Sequence, residues 1–314
     1  MNTTFETKID EANRAFQDGD LDGAARRCAD ILEVAPDHAG AHALLGTIRL
    51  SSGEFDAAAM SFRRAIASDP GAFEARRGLG VALASLGHPD DAVASFRAAL
   101  AIEPNHAEAH YDLGVLFLES GQLADATDSL SKAIEARPDF TEAHFNLAVA
   151  LVESGKLEAA VARYQRVLQL APDFVEAHFN LGIVLGKLNR HAAAVANFQK
   201  VIRAMPDLPE AHLNLGVALG MSGHSDSGLK SLRRAVELKP DYAEAHKSLG
   251  VALTAAGSAE EALACHRRAI EIDSDYVEAH FGLAAAADAA QRDGLALTHL
   301  RRALAIDPDH LDSL

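Results

Sequence analysis

At 314 residues the chain is near the size at which a single globular core stops growing. Its formal net charge of −16, from 29 basic and 45 acidic residues, repels nucleic acid and anionic lipid, so neither is an expected partner. Hydrophobic residues make up 49% of the chain, mostly Ala and Leu, with no Trp, and no apolar run approaches the ~18–20 residues of a membrane span.

A period of 34 residues runs through the sequence. The stretch PDFTEAHFNLA, Pro138 to Ala148, returns as PDFVEAHFNLG at Pro172 to Gly182, and with changes at 206, 240 and 274. Pro36, Pro70, Pro104, Pro138, Pro172, Pro206, Pro240 and Pro308 share one phase, broken by Ser274. Leucine holds a second row from Leu45 to Leu283, each followed by Gly or Ala and interrupted only by Glu11. Numbering each repeat from Phe5 or its equivalent gives nine repeats: 5–38, 39–72, 73–106, 107–140, 141–174, 175–208, 209–242, 243–276 and 277–310. Stacked repeats bury their apolar faces on their neighbours and so escape the single-core limit.

Each repeat reads as helix A, turn, helix B. Asp139 with Glu142, and the equivalent pairs 173/176, 241/244 and 275/278, predict a capping box at the start of helix A. Helix A is expected to end at position 15, where glycine supplies a left-handed residue from Gly19 to Gly257. Asn189 fits there in place of glycine, and Gln291 fits poorly. A small residue at position 20 and an aromatic at position 24 mark helix B, which the proline at position 32 stops.

In chain order, the first repeat is polar, as an end repeat facing water should be. The second and third carry Ala43 and Arg77 at position 5, where the fourth begins an aromatic row of Tyr111, Phe145, Phe179 and Phe281, interrupted by Leu213 and Lys247. Gly228 replaces the usual alanine at position 20 of the seventh repeat and predicts a locally weaker helix B. No polar closing helix follows residue 310. A mobile end, a covered end and a longer natural chain all fit that feature.

These residues resemble the tetratricopeptide repeat: 34 residues, L-G in the first helix, A-x-x-x-F in the second, proline at the end. The resemblance covers about 5–310. The H-F-N-L form is similar, more narrowly, to the repeats that precede the catalytic domain of O-linked N-acetylglucosamine transferase. It implies an all-α, right-handed α-solenoid, a superhelix of nine helix-turn-helix units forming a single domain over 1–314. It also implies that positions 2, 5, 6, 9, 12 and 13 of helix A line the concave side.

On that face the expected peptide-binding residues are Asn146, Asn180 and Asn214, with Asp112, the row Tyr111, Phe145, Phe179 and Leu213, and the aliphatic floor of Val149 and Ile183. The amides would address a peptide backbone, since each offers a donor and an acceptor. Valine or isoleucine at position 9 argues against the family's clamp for a C-terminal carboxylate.

Histidine at position 4 (His42, His110, His144, His178, His212, His246, His280) is expected to pack with one ring nitrogen bonded, because repeats advance about 10 Å while shared metal ligands sit ~2 Å from one ion. No catalytic constellation, metal spacing or cofactor motif is present. Cys28 and Cys265 lie seven repeats apart, too far for a disulfide, and MNTTFETKID is not a secretory signal.

The expected function is therefore a non-enzymatic, cytoplasmic scaffold for a protein or peptide, with no cofactor, no nucleic acid and no membrane insertion. The alternatives are the substrate-recruiting part of a larger enzyme such as a glycosyltransferase, and a structural protein that self-associates through its C-terminal repeat.

Overall fold

The computed structural model describes residues 2–308, with side chains from Glu6 onward. Among these it contains eighteen α-helices and no strand. They form two compact units, residues 1–156 and 157–314.

In the first unit the helices are α1 (Asn2–Gln17), α2 (Leu21–Val34), α3 (Ala39–Ser51), α4 (Phe55–Ser68), α5 (Phe73–Ser85), α6 (Pro89–Leu100), α7 (Ala107–Glu119), α8 (Leu123–Ala136) and α9 (Thr141–Glu153). In the second they are α10 (Leu157–Leu170), α11 (Val175–Lys187), α12 (His191–Ala204), α13 (Pro209–Met221), α14 (Ser225–Leu238), α15 (Ala243–Ala255), α16 (Ala259–Ile272), α17 (Val277–Ala289) and α18 (Asp293–Ile306). From the second repeat on, every helix A starts at position 1 of the sequence period. Within each unit consecutive helices pack together, and each helix A also meets the helix A of the next repeat, as α5 meets α7 and α13 meets α15. This is the expected α-solenoid of helix pairs.

The core follows the rows of the sequence. Alanine at position 3 of helix A is buried from Ala41 to Ala279. Ile31, Ala65, Ala99, Ala133, Val167, Val201, Ala235, Ala269 and Ala303, all at position 27 of helix B, are fully buried. The position-24 side chain lies over the glycine at position 8 of its own repeat. A Cβ on Gly182 would sit 2.7 Å from the Phe198 ring, so the large ring and the missing side chain are one packing unit.

The nine residues at position 15 all have positive φ, Asn189 at 58° and Gln291 at 59° included. Gln291 thus holds the left-handed conformation against its preference, because the turn requires it.

One expectation fails. The Asp-based capping boxes are absent: the N-caps of α9, α11, α15 and α17 are Phe140, Phe174, Tyr242 and Tyr276, without a side-chain capping bond. Other groups stitch the same turn. Each position-4 histidine donates its Nε2–H to the carbonyl six residues back, from His42 to Pro36 O (2.7 Å) through His280 to Ser274 O (3.1 Å). Arg76 takes over this role in the third repeat, reaching Pro70 O at 2.7 Å. The N-caps His38 and His106 accept from Ala41 and Ala109 N–H through Nδ1. The seven-histidine row is thus a structural latch between helix B of one repeat and helix A of the next.

At Gly228 the packing supplies a reason for glycine that propensity does not. α14 runs its full length, and a Cβ on Gly228 would stand 2.8 Å from Gly216 O and 3.1 Å from Gly220 N. Glycine is there because two backbones touch. The residues beyond 308, where the question of a closing helix falls, lie outside the described residues.

Candidate functional site

The helix A face that the sequence leaves polar and half-apolar is built differently in the two units. In the first, a polar side chain at position 5 of one repeat reaches position 6 of the next. Arg77 Nε donates to Asp112 Oδ2 at 2.7 Å, and Asn146 Nδ2 donates to the Tyr111 hydroxyl at 3.1 Å. The Asp112 side chain is only 18% exposed, and burial raises its pKa, with Arg77 opposing the rise. The Tyr111 ring rests on Phe140 with centroids 4.8 Å apart, and Arg137 covers the other end of that stack, 3.7 Å from the Phe140 centroid. Beside them a 350 Å³ cleft is lined by Val81, Phe96, Tyr111, Asp112, Val115 and Glu119 among others.

In the second unit position 5 is Phe179, Leu213 and Phe281, with Lys247 followed one repeat on by Gly282 at position 6, and the stitch does not form. Phe179, the position-5 neighbour of Asn214, offers no hydrogen-bonding group, so Asn214 Nδ2 turns back to Glu210 O of its own helix at 2.8 Å. Phe179 packs edge-on against Phe198, centroids 5.9 Å apart. Asn180 is half-buried and makes no hydrogen bond among the described residues.

Of the expected binding residues, Phe145, Asn146, Val149, Phe179, Asn180 and Ile183 are half-buried on this face. Leu213, at 3% exposure, belongs to the core under it. The asparagines are not an equivalent ladder, because Asn146 and Asn214 spend amide hydrogens inside the protein.

A further apolar feature of the face includes the expected residues Leu213 and Asn214 and extends well beyond them. A 450 Å³ cleft opens between the seventh and eighth repeats, lined by Leu213, Asn214, Val217, Gly220, Met221 and Leu229 on one side and by Glu244, Lys247, Ser248 and Val251 on the other. Its rim carries Val217 at 44% exposure, Met221 at 63% and Val251 at 53%. The floor is opened by glycine: Gly216 and Gly228 let α13 and α14 touch, and a Cβ at Gly220 would meet nothing within 4 Å. The signal was in the sequence as Gly220, Gly228 and the break in the aromatic row, of which propensity gave only Gly228 a meaning, that of a weaker helix.

The charged side chains of the lining are Glu244 and Lys247. Glutamate occupies position 2 of helix A in Glu210, Glu244 and Glu278. Glu210 pairs loosely with Lys239 at 3.8 Å, while Glu244 and Glu278 make no ion pair among the described residues. Burial, reinforced by these glutamates, pushes the Tyr242 and Tyr276 hydroxyls up to about 12.

Among the described residues no group of three or more His, Cys, Asp or Glu is placed to hold a metal ion, and no helix is long and apolar enough to cross a membrane. Both cysteines are free thiols.

The stacked helix pairs, the glycine turn and the proline stop define a helical repeat protein. A family model for the tetratricopeptide repeat matches residues 9–73, 44–107, 77–140 and 179–221, and a TPR repeat model matches 150–189 and 252–287. The chain belongs to the tetratricopeptide repeat family. These matches carry the family and not the narrower likeness to transferase repeats.

No curated protein matches the chain. Among solved structures it is similar to MamA, at 26% identity over 53% of this chain and 97% of that one, with a TM-score of 0.50. It is also similar to PilF of Pseudomonas aeruginosa (19% identity, 67% and 95% of the two chains, TM-score 0.57). A chain of the APC/C hetero-tetramer Cut9–Hcn1 matches at 18% identity over 91% and 56%, TM-score 0.54. The last two show the fold alone.

Proposed function

We propose that the protein is a non-enzymatic interaction scaffold that holds an extended peptide or a partner's helix on the helix A face. The observation that carries this reading is the coincidence of two clefts with one face. The 350 Å³ cleft of the first unit and the 450 Å³ cleft of the second are both lined by positions 5, 6, 9, 12 and 13 of helix A. Concave, mainly apolar clefts with a few polar groups are the usual form of a binding site. In this reading Tyr111, Asp112, Phe145, Asn146 and Val149 contact the ligand in the first unit, and Phe179, Asn180, Ile183 and Asn214 in the second, with Leu213 in the core beneath them.

Panning a displayed random-peptide library against the full chain tests it. Enriched peptides should lose binding when Val115 or Val217 is replaced by Arg. Failure to enrich any peptide would overturn the scaffold reading.

Self-association is a second reading, favoured by a 610 Å³ cleft on the ninth repeat lined by Phe281, Ala285, Leu297 and Leu300, with Leu297 exposed. Light scattering should then show a concentration-dependent mass that Leu297→Lys abolishes. A constant monomer mass would exclude it.

A further inference from the structure

We propose that the cleft between α13 and α15 is the docking site for a partner segment that carries one bulky apolar anchor side chain beside basic residues. This rests on the scaffold reading and goes beyond it by assigning the partner's chemistry and placing it on the second unit.

The first argument is shape. Gly216 and Gly228 draw α13 and α14 together, and the absent side chain at Gly220 leaves the space above them empty. The result is an open, apolar cleft of 450 Å³. The exposed Val217, Met221 and Val251 stand on its rim. Exposed aliphatic side chains gathered at one cleft mark an interaction surface, whereas the same residues scattered singly would not. Methionine on the rim adapts its shape to the group it receives. The polar side chains of the lining are few, Asn214, Ser225, Glu244, Lys247 and Ser248, so an apolar side chain can enter without stranding many hydrogen-bonding groups.

The second argument is charge. Glu210, Glu244 and Glu278 stand in phase at the N-terminal turns of three successive A helices. Glu244 lines the cleft, and neither it nor Glu278 has a basic partner among the described residues. Lys247 is the single basic side chain of the lining, and it lies over the Tyr276 ring, 6.0 Å from the centroid. An acidic segment would meet uncompensated like charge along this edge; a basic one would complete the pairs. The whole chain, at −16, draws basic segments toward it over longer range.

The test uses the full chain and three labelled synthetic peptides read by fluorescence anisotropy. They carry a central leucine between lysines, a central leucine between glutamates, and a central serine between lysines. The leucine–lysine peptide should bind tightest. Replacing its leucine by serine should weaken it at least about tenfold, the worth of one buried aliphatic side chain.

Gly220→Leu, whose Cβ would meet nothing within 4 Å, should abolish its binding with helicity unchanged. Glu244→Lys, at an exposed position, should weaken it by up to about fivefold in low salt and by less in high salt.

Equal or tighter binding of the leucine–glutamate peptide would overturn the proposal while leaving the scaffold reading intact, as would unchanged binding in Gly220→Leu. Self-association of the parent chain that Gly220→Leu removes would assign the cleft to a second copy and likewise overturn it.

Discussion

The clefts at 81–119 and 213–255 are made from the same positions of the same repeat and have opposite characters. In the first, Arg77 and Asp112 join two A helices by a charged hydrogen bond, with Tyr111 and Asn146 repeating the stitch one repeat on. In the second, Leu213 and Lys247 occupy position 5, Leu213 offers Ser248 no hydrogen-bonding group, and the cleft stays mainly apolar and open. The charges diverge too: residues 1–156 carry 25 acidic and 13 basic residues, and residues 157–314 carry 20 and 16. In a solenoid whose core rows are fixed, two or three surface positions per repeat decide whether neighbouring A helices are joined by a polar stitch or leave a mainly apolar cleft between them.

The largest expected effect separates the second unit by its response to acid. His266 occupies the position-24 site that Phe62, Phe96 and Phe198 fill elsewhere. It is fully buried, wedged between Gly250 and Gly282, and neither ring nitrogen has a hydrogen-bond partner. Burial first, and then Lys247, lowers its pKa from 6.5 to about 4.

The unfolded chain therefore takes up a proton that the folded one refuses. Stability is full above about pH 6.5 and falls by about 3 kcal/mol as the pH drops toward 4. Nearby, His280 donates Nε2–H to Ser274 O and faces His299 Nδ1 to Nδ1 at 2.9 Å. Burial, with His280 and Arg267, also lowers the His299 pKa. Denaturant melts between pH 7 and pH 4.5 should show the 157–314 half loosening first, and His266→Phe should remove most of the difference. An unchanged pH profile in that variant would remove His266 from the explanation.

The first unit should break at its stitch. Arg77→Met leaves the Asp112 carboxylate largely buried without its donor and should cost about 1.5–3 kcal/mol, the range for hydrogen bonds to charged groups. Adding Asp112→Leu should recover much of that loss and leave a cleft resembling the second unit's. A double-mutant cycle by urea denaturation measures the coupling, and a coupling near zero would mean the pair is decorative.

A smaller effect distinguishes two glycines. Gly228→Ala gains about 1 kcal/mol of helix propensity but forces a methyl against Gly216 O, and overpacking of this kind costs about 1–3 kcal/mol. The net change should be a loss of about 1 kcal/mol. If the variant is instead more stable, the close contact of α13 with α14 is not needed to form the cleft.

The smallest effect runs the other way. Gly186 lies inside α11 with open space where a Cβ would stand, so Gly186→Ala should stabilise by up to about 1 kcal/mol. Thermal melting would show a small rise, and a fall would reveal a neighbour that the open space does not suggest.

The 34-residue spacing alone determined the helix pairs, their register and the rows that fill the core, because each repeat meets only its neighbours and local pattern then decides packing. It determined the left-handed turns as well, down to Gln291, since a turn of fixed length demands that conformation whatever residue stands there. The histidine row was legible as packing from its spacing, though not the carbonyl six residues back that it holds.

Everything that depended on which side chain meets which across a repeat boundary was decided only in three dimensions. Asp139 and its equivalents read as caps, but α9 starts without a side-chain capping bond, and His144 instead donates to the carbonyl six residues back. Gly228 read as a weak point, but it is where two helices touch and a cleft begins. Asn146, Asn180 and Asn214 read as one ladder, but their partners differ because the residue one repeat back at position 5 differs. A single sequence gives the period of a side chain, and only the packed structure gives its neighbour.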